Sequence, residues 1–225
     1  MKYNNNFNYT TMKRSIITLI ITLFFTGAVS ANDSQQYYKA MGQAIGQLFA
    51  SDSAAQIQGA INMLERIGKA EDDKWEPAYY KAFGYLRLSA TTNDVAAKDS
   101  YLDQALTEVK AGLKLAENED ELIVMKAYVY MMKMVIDPMS RAPEYSPVIM
   151  GSYQKALQID PNNPRAWYLL GQMQLGTAQF MGGSTDEGCG SLQNAVEKFE
   201  AEEKATPISP AWGSDAAKAA AKQCQ

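Results

Sequence analysis

Residues 153–174 read YQKALQIDPNNPRAWYLLGQMQ, and the fold follows from this stretch. Tyr153, Ala156, Leu157 and Ile159 recur at helical spacing, so the first part is the end of an amphipathic helix. Asp160-Pro161-Asn162-Asn163-Pro164 interrupts it, because proline cannot continue a helix and asparagine tolerates turn geometry. Pro164 suits a first helical turn, where a missing N–H costs nothing. Trp167, Leu170 and Gly171 then open a second helix.

The spacing Tyr153-x2-Ala156-x4-Pro161 followed by Trp167-x2-Leu170-Gly171 resembles a tetratricopeptide (TPR) repeat junction. That resemblance implies antiparallel helix pairs in which helix A carries a large residue followed by Leu-Gly, and helix B carries small-x3-large-x2-small. The frame extends to other joints. Ala156 to Trp167 is 11 residues, and Gly112 to Ile123 is again 11. Upstream, Pro77-x2-Tyr80-x2-Phe83-Gly84 repeats the pattern, and Tyr38-x2-Met41-Gly42 with Ala60-x3-Leu64-x2-Ile67 forms a first pair. The joint after that pair is 13 residues long. The last helix B is Gly188-x3-Leu192-x2-Ala195. The expected class is all-α: a TPR-like solenoid of about four helix pairs over residues 32–206, with a linker and capping helix over 207–225. Trp212 is expected to plug into the face of the last pair.

Within each unit, the spacing from the helix A glycine position to the helix B small residue is 18, 21, 22 and 17 residues. A 34-residue repeat allows less. The extra length, including 91–94, 137–143 and 181–185, is expected as loops or helix extensions along one edge of the solenoid.

Residues 1–31 have the layout of a secretory signal. Met12-Lys13-Arg14 is a basic start, Ile16 to Phe25 is apolar, and Gly27 to Ala31 are small residues suited to cleavage after Ala31. Met12 fits the start of such a segment better than Met1. The apolar run is shorter than the roughly 20 residues of a membrane span. A periplasmic or secreted protein with no membrane span after signal removal is therefore expected. Losing Lys2, Lys13 and Arg14 moves the formal charge from −4 to −7, and an acidic surface argues against nucleic-acid binding.

The chain contains no histidine, which removes Ser-His-Asp and Cys-His catalysis and most zinc or haem ligand sets. Phe180 to Thr185 lacks the Gly-Lys-Ser/Thr ending of a phosphate loop, and Glu117 to Glu121 reads as an acidic run at a helix start. Met125, Met131, Met132, Met134, Met139 and Met150 could supply thioethers to Cu(I), but their helical spacing favours packing. No catalytic residue, metal or cofactor is expected. In an exporting compartment the two cysteines, Cys189 and Cys224, are expected to form a disulfide pinning the cap.

The resemblance implies a non-catalytic binding or scaffold module that holds a protein or peptide of the cell envelope in its concave groove or on its extended A–B loops. Its concave face would present Lys81, Tyr85, Tyr128, Arg165, Tyr168 and Gln172. The C-terminal pattern Phe180-x-Gly182-Gly183, then Pro210-x-Trp212-Gly213 and a terminal cysteine, is similar to periplasmic TPR proteins of envelope and transport systems. The alternative is a small-molecule carrier serving a periplasmic transport system, marked by a pocket of tyrosines and methionines.

Overall fold

The structure is a computed structural model that describes residues 34–224. The segment read as a signal, with its cleavage point, lies outside the described residues. The chain divides into two units, Met1–Ala40 and Met41–Gln225. In the first unit residues 34–40 are helical; in the second, residues 41–50 are helical and are labelled α1. The second unit continues with α2 (Ala54–Ala70), α3 (Glu76–Ala90), α4 (Val95–Leu115), α5 (Asp120–Ile136), α6 (Pro138–Ile159), α7 (Pro164–Met181), α8 (Asp186–Ala201) and α9 (Ser214–Ala221). Among the described residues there is no strand. None of these helices is long and apolar enough to cross a membrane.

The helices pack as α3 on α4, α5 on α6 and α7 on α8. Side-chain caps start several of them: Asp94 accepts from the Ala97 N–H at 2.7 Å, and Asn163 accepts from the Ala166 N–H at 2.8 Å. Pro164 occupies the first turn of α7. Within the last pair the close approach is made by two glycines. A Cβ on Gly171 would lie 3.0 Å from the Gly188 carbonyl oxygen, and one on Gly188 would lie 2.8 Å from the Leu175 nitrogen. The contact joins the helix A glycine and the helix B small residue of the repeat pattern.

One joint departs from the sequence frame. Helices α3, α5 and α7 start at Glu76, Asp120 and Pro164, each 44 residues after the last. Phe83, not Gly84, therefore stands where Ala127 and Gly171 stand. A Cβ on Gly84 would meet Ile61 at 2.6 Å and Leu48 at 3.4 Å, so this glycine faces the preceding pair. Gly68, whose Cβ would lie 3.2 Å from Pro77, makes the close approach at this joint, and Tyr79 is the fully buried residue 11 positions on. The apparent 13-residue joint arises from choosing Ile67 and Tyr80 instead. Two adjacent tyrosines, both buried, hide the register.

The added length within the units is mostly helix. α4 runs 21 residues and α6 runs 22, and only Asp137 separates α5 from α6. Pro143 and Pro147 lie inside α6, in its first half, where each removes one backbone bond without ending the helix. Bidentate pairing of Arg141 with Asp99 (2.8 and 2.6 Å) and an ion pair of Lys133 with Asp103 (2.6 Å) tie these extended ends to α4. The sulfurs of Cys189 and Cys224 are bonded at 2.02 Å, joining α8 to the turn after α9 across a separation of 35 residues. Ala220 of α9 packs with Leu175 and Leu192.

Candidate functional site

The starts of α3, α5 and α7 converge on one buried carboxylate. Glu121, 7% exposed, accepts from Arg165 Nε at 2.7 Å, Asn163 Nδ2 at 3.0 Å and the Tyr79 hydroxyl at 3.2 Å. The Tyr79 hydroxyl in turn accepts from Trp212 Nε1 at 2.8 Å. Arg165 also pairs with Glu202, and its guanidinium lies 5.7 Å over the Phe199 ring. Burial pushes the Glu121 carboxyl up from its ordinary range, while the adjacent guanidinium opposes that rise. Burial works against the charge of Arg165, but Glu121, Tyr79 and Glu202 together outweigh it and hold the guanidinium firmly protonated. Arg165 Nη1 is buried without a hydrogen-bond partner.

The segment between α8 and α9 closes over this network. Ile208 is buried and its carbonyl accepts from the Tyr80 hydroxyl at 2.7 Å. Trp212 stacks on Phe83 (5.4 Å between ring centres) and on Tyr128 (5.7 Å). The tryptophan expected on the last helix pair thus returns to α3 and α5. Gly213, at φ 106°, supplies the left-handed turn that lets α9 begin directly after it, and a Cβ there would strike Phe199 at 2.8 Å.

Most of the residues expected on an open concave face are engaged within the fold. Arg165 is 3% exposed, because it balances the buried Glu121. Tyr128 lies against Trp212. Lys81 is paired with Glu65 and with Glu108, the latter at 2.7 Å. Tyr85 is half-buried, and burial raises its hydroxyl pKa. Tyr168 packs between two core clusters. Gln172 alone of the six lines an apolar cleft.

That cleft, of about 380 Å³, opens where α5, α6 and α7 end or begin. From α5 come Met131, Met134 and Val135, and from α7 come Met173, Phe180 and Met181. Pro138, Ala142 and Ser146 face them from α6 at four-residue intervals, one stripe of the helix. Gly176 and Thr177 complete the α7 wall, and a Cβ on Gly176 would meet nothing within 4 Å. Small residues on two helices thus leave room that long flexible side chains only partly fill. The rim is unusually apolar: Val135 is 53% exposed, Phe180 68% and Met181 74%. A second hollow of about 340 Å³, which adds Met150, shares Ser146, Met173, Thr177 and Met181 with the first.

A larger cavity of about 610 Å³ lies beside the Glu121 network. Its walls carry Glu119, Asp120, Asp160 and Glu202, but several of these charges are already used. Asn163 holds Asp120 at 2.5 Å, and Arg165 and Lys204 hold Glu202. Among the described residues no group of carboxylates or thiolates is arranged to hold a metal ion. The apolar cleft, whose surfaces have no internal partner of this kind, is the better candidate site. The methionine run at 131–139 was its sequence signal; nothing in the sequence showed which of those sulfurs face a void.

The family model described as TPR repeat matches residues 151–176, the helix–turn–helix quoted at the outset. No curated protein matches the chain in sequence. Among solved structures, HusA haemophore from Porphyromonas gingivalis superposes with a TM-score of 0.74 at 22% identity, covering 84% of this chain and 92% of that one. TTC0263, a TPR protein of Thermus thermophilus, matches over 72% of this chain and 91% of that one at 16% identity, with a TM-score of 0.42. MamA from Desulfovibrio magneticus RS-1 matches over 76% and 97% at 14% identity, with a TM-score of 0.34. Residues 151–176 are a TPR unit, set within an all-α array of paired helices. Its likeness to the HusA haemophore is one of fold, shared along most of both chains.

Proposed function

We propose that this protein is an exported, non-catalytic carrier that holds a broad, flat, apolar ligand of the tetrapyrrole class in the methionine cleft. The observation that carries this reading is the cleft itself. A hollow of about 380 Å³ has a nearly continuous lining of thioethers, aliphatic groups and a phenyl ring, with its largest apolar side chains exposed at the rim. That volume is within the range of small-molecule sites, about 300–1,000 Å³. Thioethers and aromatic edges gain contact with a polarisable π-system without needing directed bonds. The fold shared with a haemophore supports the ligand class. The signal-like residues 1–31 support export.

The scaffold role expected from the TPR resemblance needs a free concave face. Trp212 of the chain itself lies across Tyr128, and Arg165 is turned inward onto Glu121 and Glu202. A peptide would have to displace them, so this reading has less support.

The test is titration of the full chain with protoporphyrin IX, followed by fluorescence, against Gly176→Phe. A Cβ at position 176 meets nothing within 4 Å, and this residue lines the cleft, so a bulky side chain there is expected to narrow it. Phenylalanine is also a better helix former than glycine by roughly 0.5 kcal/mol, so the fold should hold. Binding by the wild type with at least about tenfold weaker binding by the variant is expected. Equal affinity would move the ligand away from this cleft.

A further inference from the structure

The cleft methionines differ in their access to solvent and in what stands beside their sulfurs. Met181, at the rim, is 74% exposed. Met134 is half-buried, and its sulfur accepts a hydrogen bond from the Ser146 hydroxyl at 3.5 Å. Met131 receives the Tyr153 hydroxyl at 3.9 Å. Met41 and Met125, by contrast, are fully buried in the core. Met139 is 74% exposed and lies outside the cleft lining, so it reports general reactivity.

Thioethers with this access react with hydroperoxides. A sulfur lone pair attacks one peroxide oxygen, the O–O bond breaks, and an S–O bond forms. The departing oxygen takes up the proton and leaves as water from hydrogen peroxide, or as an alcohol from an organic hydroperoxide. Sulfur is oxidised by two electrons and the peroxide is reduced by two. The product is a polar, strongly accepting group in place of an apolar one. Ser146 is already placed to donate to such an oxygen at Met134, so the oxidised side chain would be held with its new dipole at the cleft wall.

We propose that Met181 and Met134 form an oxidative modification site, and that their conversion to sulfoxides by a hydroperoxide makes the cleft release its apolar ligand. This rests on the carrier reading and supplies its regulation: ligand is held under reducing conditions and let go where peroxide is present. Because the sulfoxide is reducible enzymatically, the change is reversible.

The experiment treats the full chain with hydrogen peroxide and removes the excess. Peptide mass mapping then locates the sulfoxides, and protoporphyrin IX affinity is measured before and after. Oxidation at Met181 and Met134 ahead of Met41 and Met125 is expected. Affinity should fall about tenfold, as for an unmatched polar group in an apolar site, and return after treatment with methionine sulfoxide reductases. Prior loading with protoporphyrin IX should protect Met181 and Met134 but not Met139. Met139→Leu should show the same loss as the wild type, whereas Met181→Leu should lose less, whatever its starting affinity. Unchanged affinity in a protein carrying both sulfoxides overturns the inference and leaves the carrier reading standing. Failure of the untreated chain to bind the porphyrin overturns the carrier reading, and this inference falls with it.

Discussion

Helices α5 and α7 each have one end in a closed, polar junction and the other in an open, apolar cleft. At their starts, Glu121 and Arg165 are joined directly at 2.7 Å, and Tyr79, Asn163 and Trp212 complete the network. At their other ends, Met134 and Met181 contribute to a hollow that the chain leaves unfilled. Directed hydrogen bonds and stacked rings fix one geometry, and breaking any member leaves a buried group unmatched. Thioether chains have no such directionality and adapt to what enters. The difference separates the part of the molecule that sets the fold from the part free to bind.

The contrast is tested most strongly at Arg165. Arg165→Met keeps much of the volume but leaves the Glu121 carboxylate buried without its counter-charge. A loss of about 3–5 kcal/mol in urea unfolding is expected. The double variant Arg165→Met with Glu121→Leu should recover much of that loss, since an apolar replacement of a buried pair is often neutral. A single variant as stable as the wild type would remove the junction from its structural role.

Trp212→Ala comes next. It removes two ring contacts and the hydrogen bond to Tyr79, and a loss of about 2–3 kcal/mol is expected because Trp212 keeps some exposure in the fold. Porphyrin affinity should stay unchanged, because the cleft shares none of these contacts. Lost binding in a protein that remains folded would join the two ends functionally and weaken the comparison.

The helix pairs were legible because their signals are local. The Asp160–Pro164 break and the Trp167-x2-Leu170-Gly171 spacing each act within a few residues, and 151–176 is where the repeat family matches. The register at Tyr79 and Tyr80 was not legible, since two equal side chains compete and packing on α2 decides. Nor was the destination of Trp212, which contacts Tyr79 across a sequence separation of 133 residues. Arg165 looked like an interface residue because its composition suits one; only the distant Glu121 and Glu202 turn it inward. The cleft was half legible: the methionines were conspicuous, but their void depends on Ala142, Ser146 and Gly176, small residues that carry no signal of their own.

The smallest expected effect, since Glu119 is only half-buried and solvent screens it, tests whether the closed junction holds its charges. Glu119 precedes α5 and lines the acidic cavity beside Glu121. Burial, with Asp120 and Glu121 adding repulsion, pushes its carboxyl from 4.5 up to about 7. The α5 N-terminus favours the charged form, but these effects outweigh it. An acid with a raised folded pKa is better tolerated protonated in the fold than in the unfolded chain. Its stabilising contribution is therefore complete below the unfolded value and is lost as pH rises through about 7. Glu119→Gln has no such titration. Thermal unfolding curves of variant and wild type should run together near pH 4, with the variant gaining a higher relative Tm as pH rises through about 7. Titrations remote from Glu119 are common to both proteins and cancel in the difference, leaving Glu119 and the Asp120 and Glu121 carboxylates coupled to it. A difference that does not vary with pH would show that Glu119 reaches water freely and that the acidic cavity stands open on its α5 side.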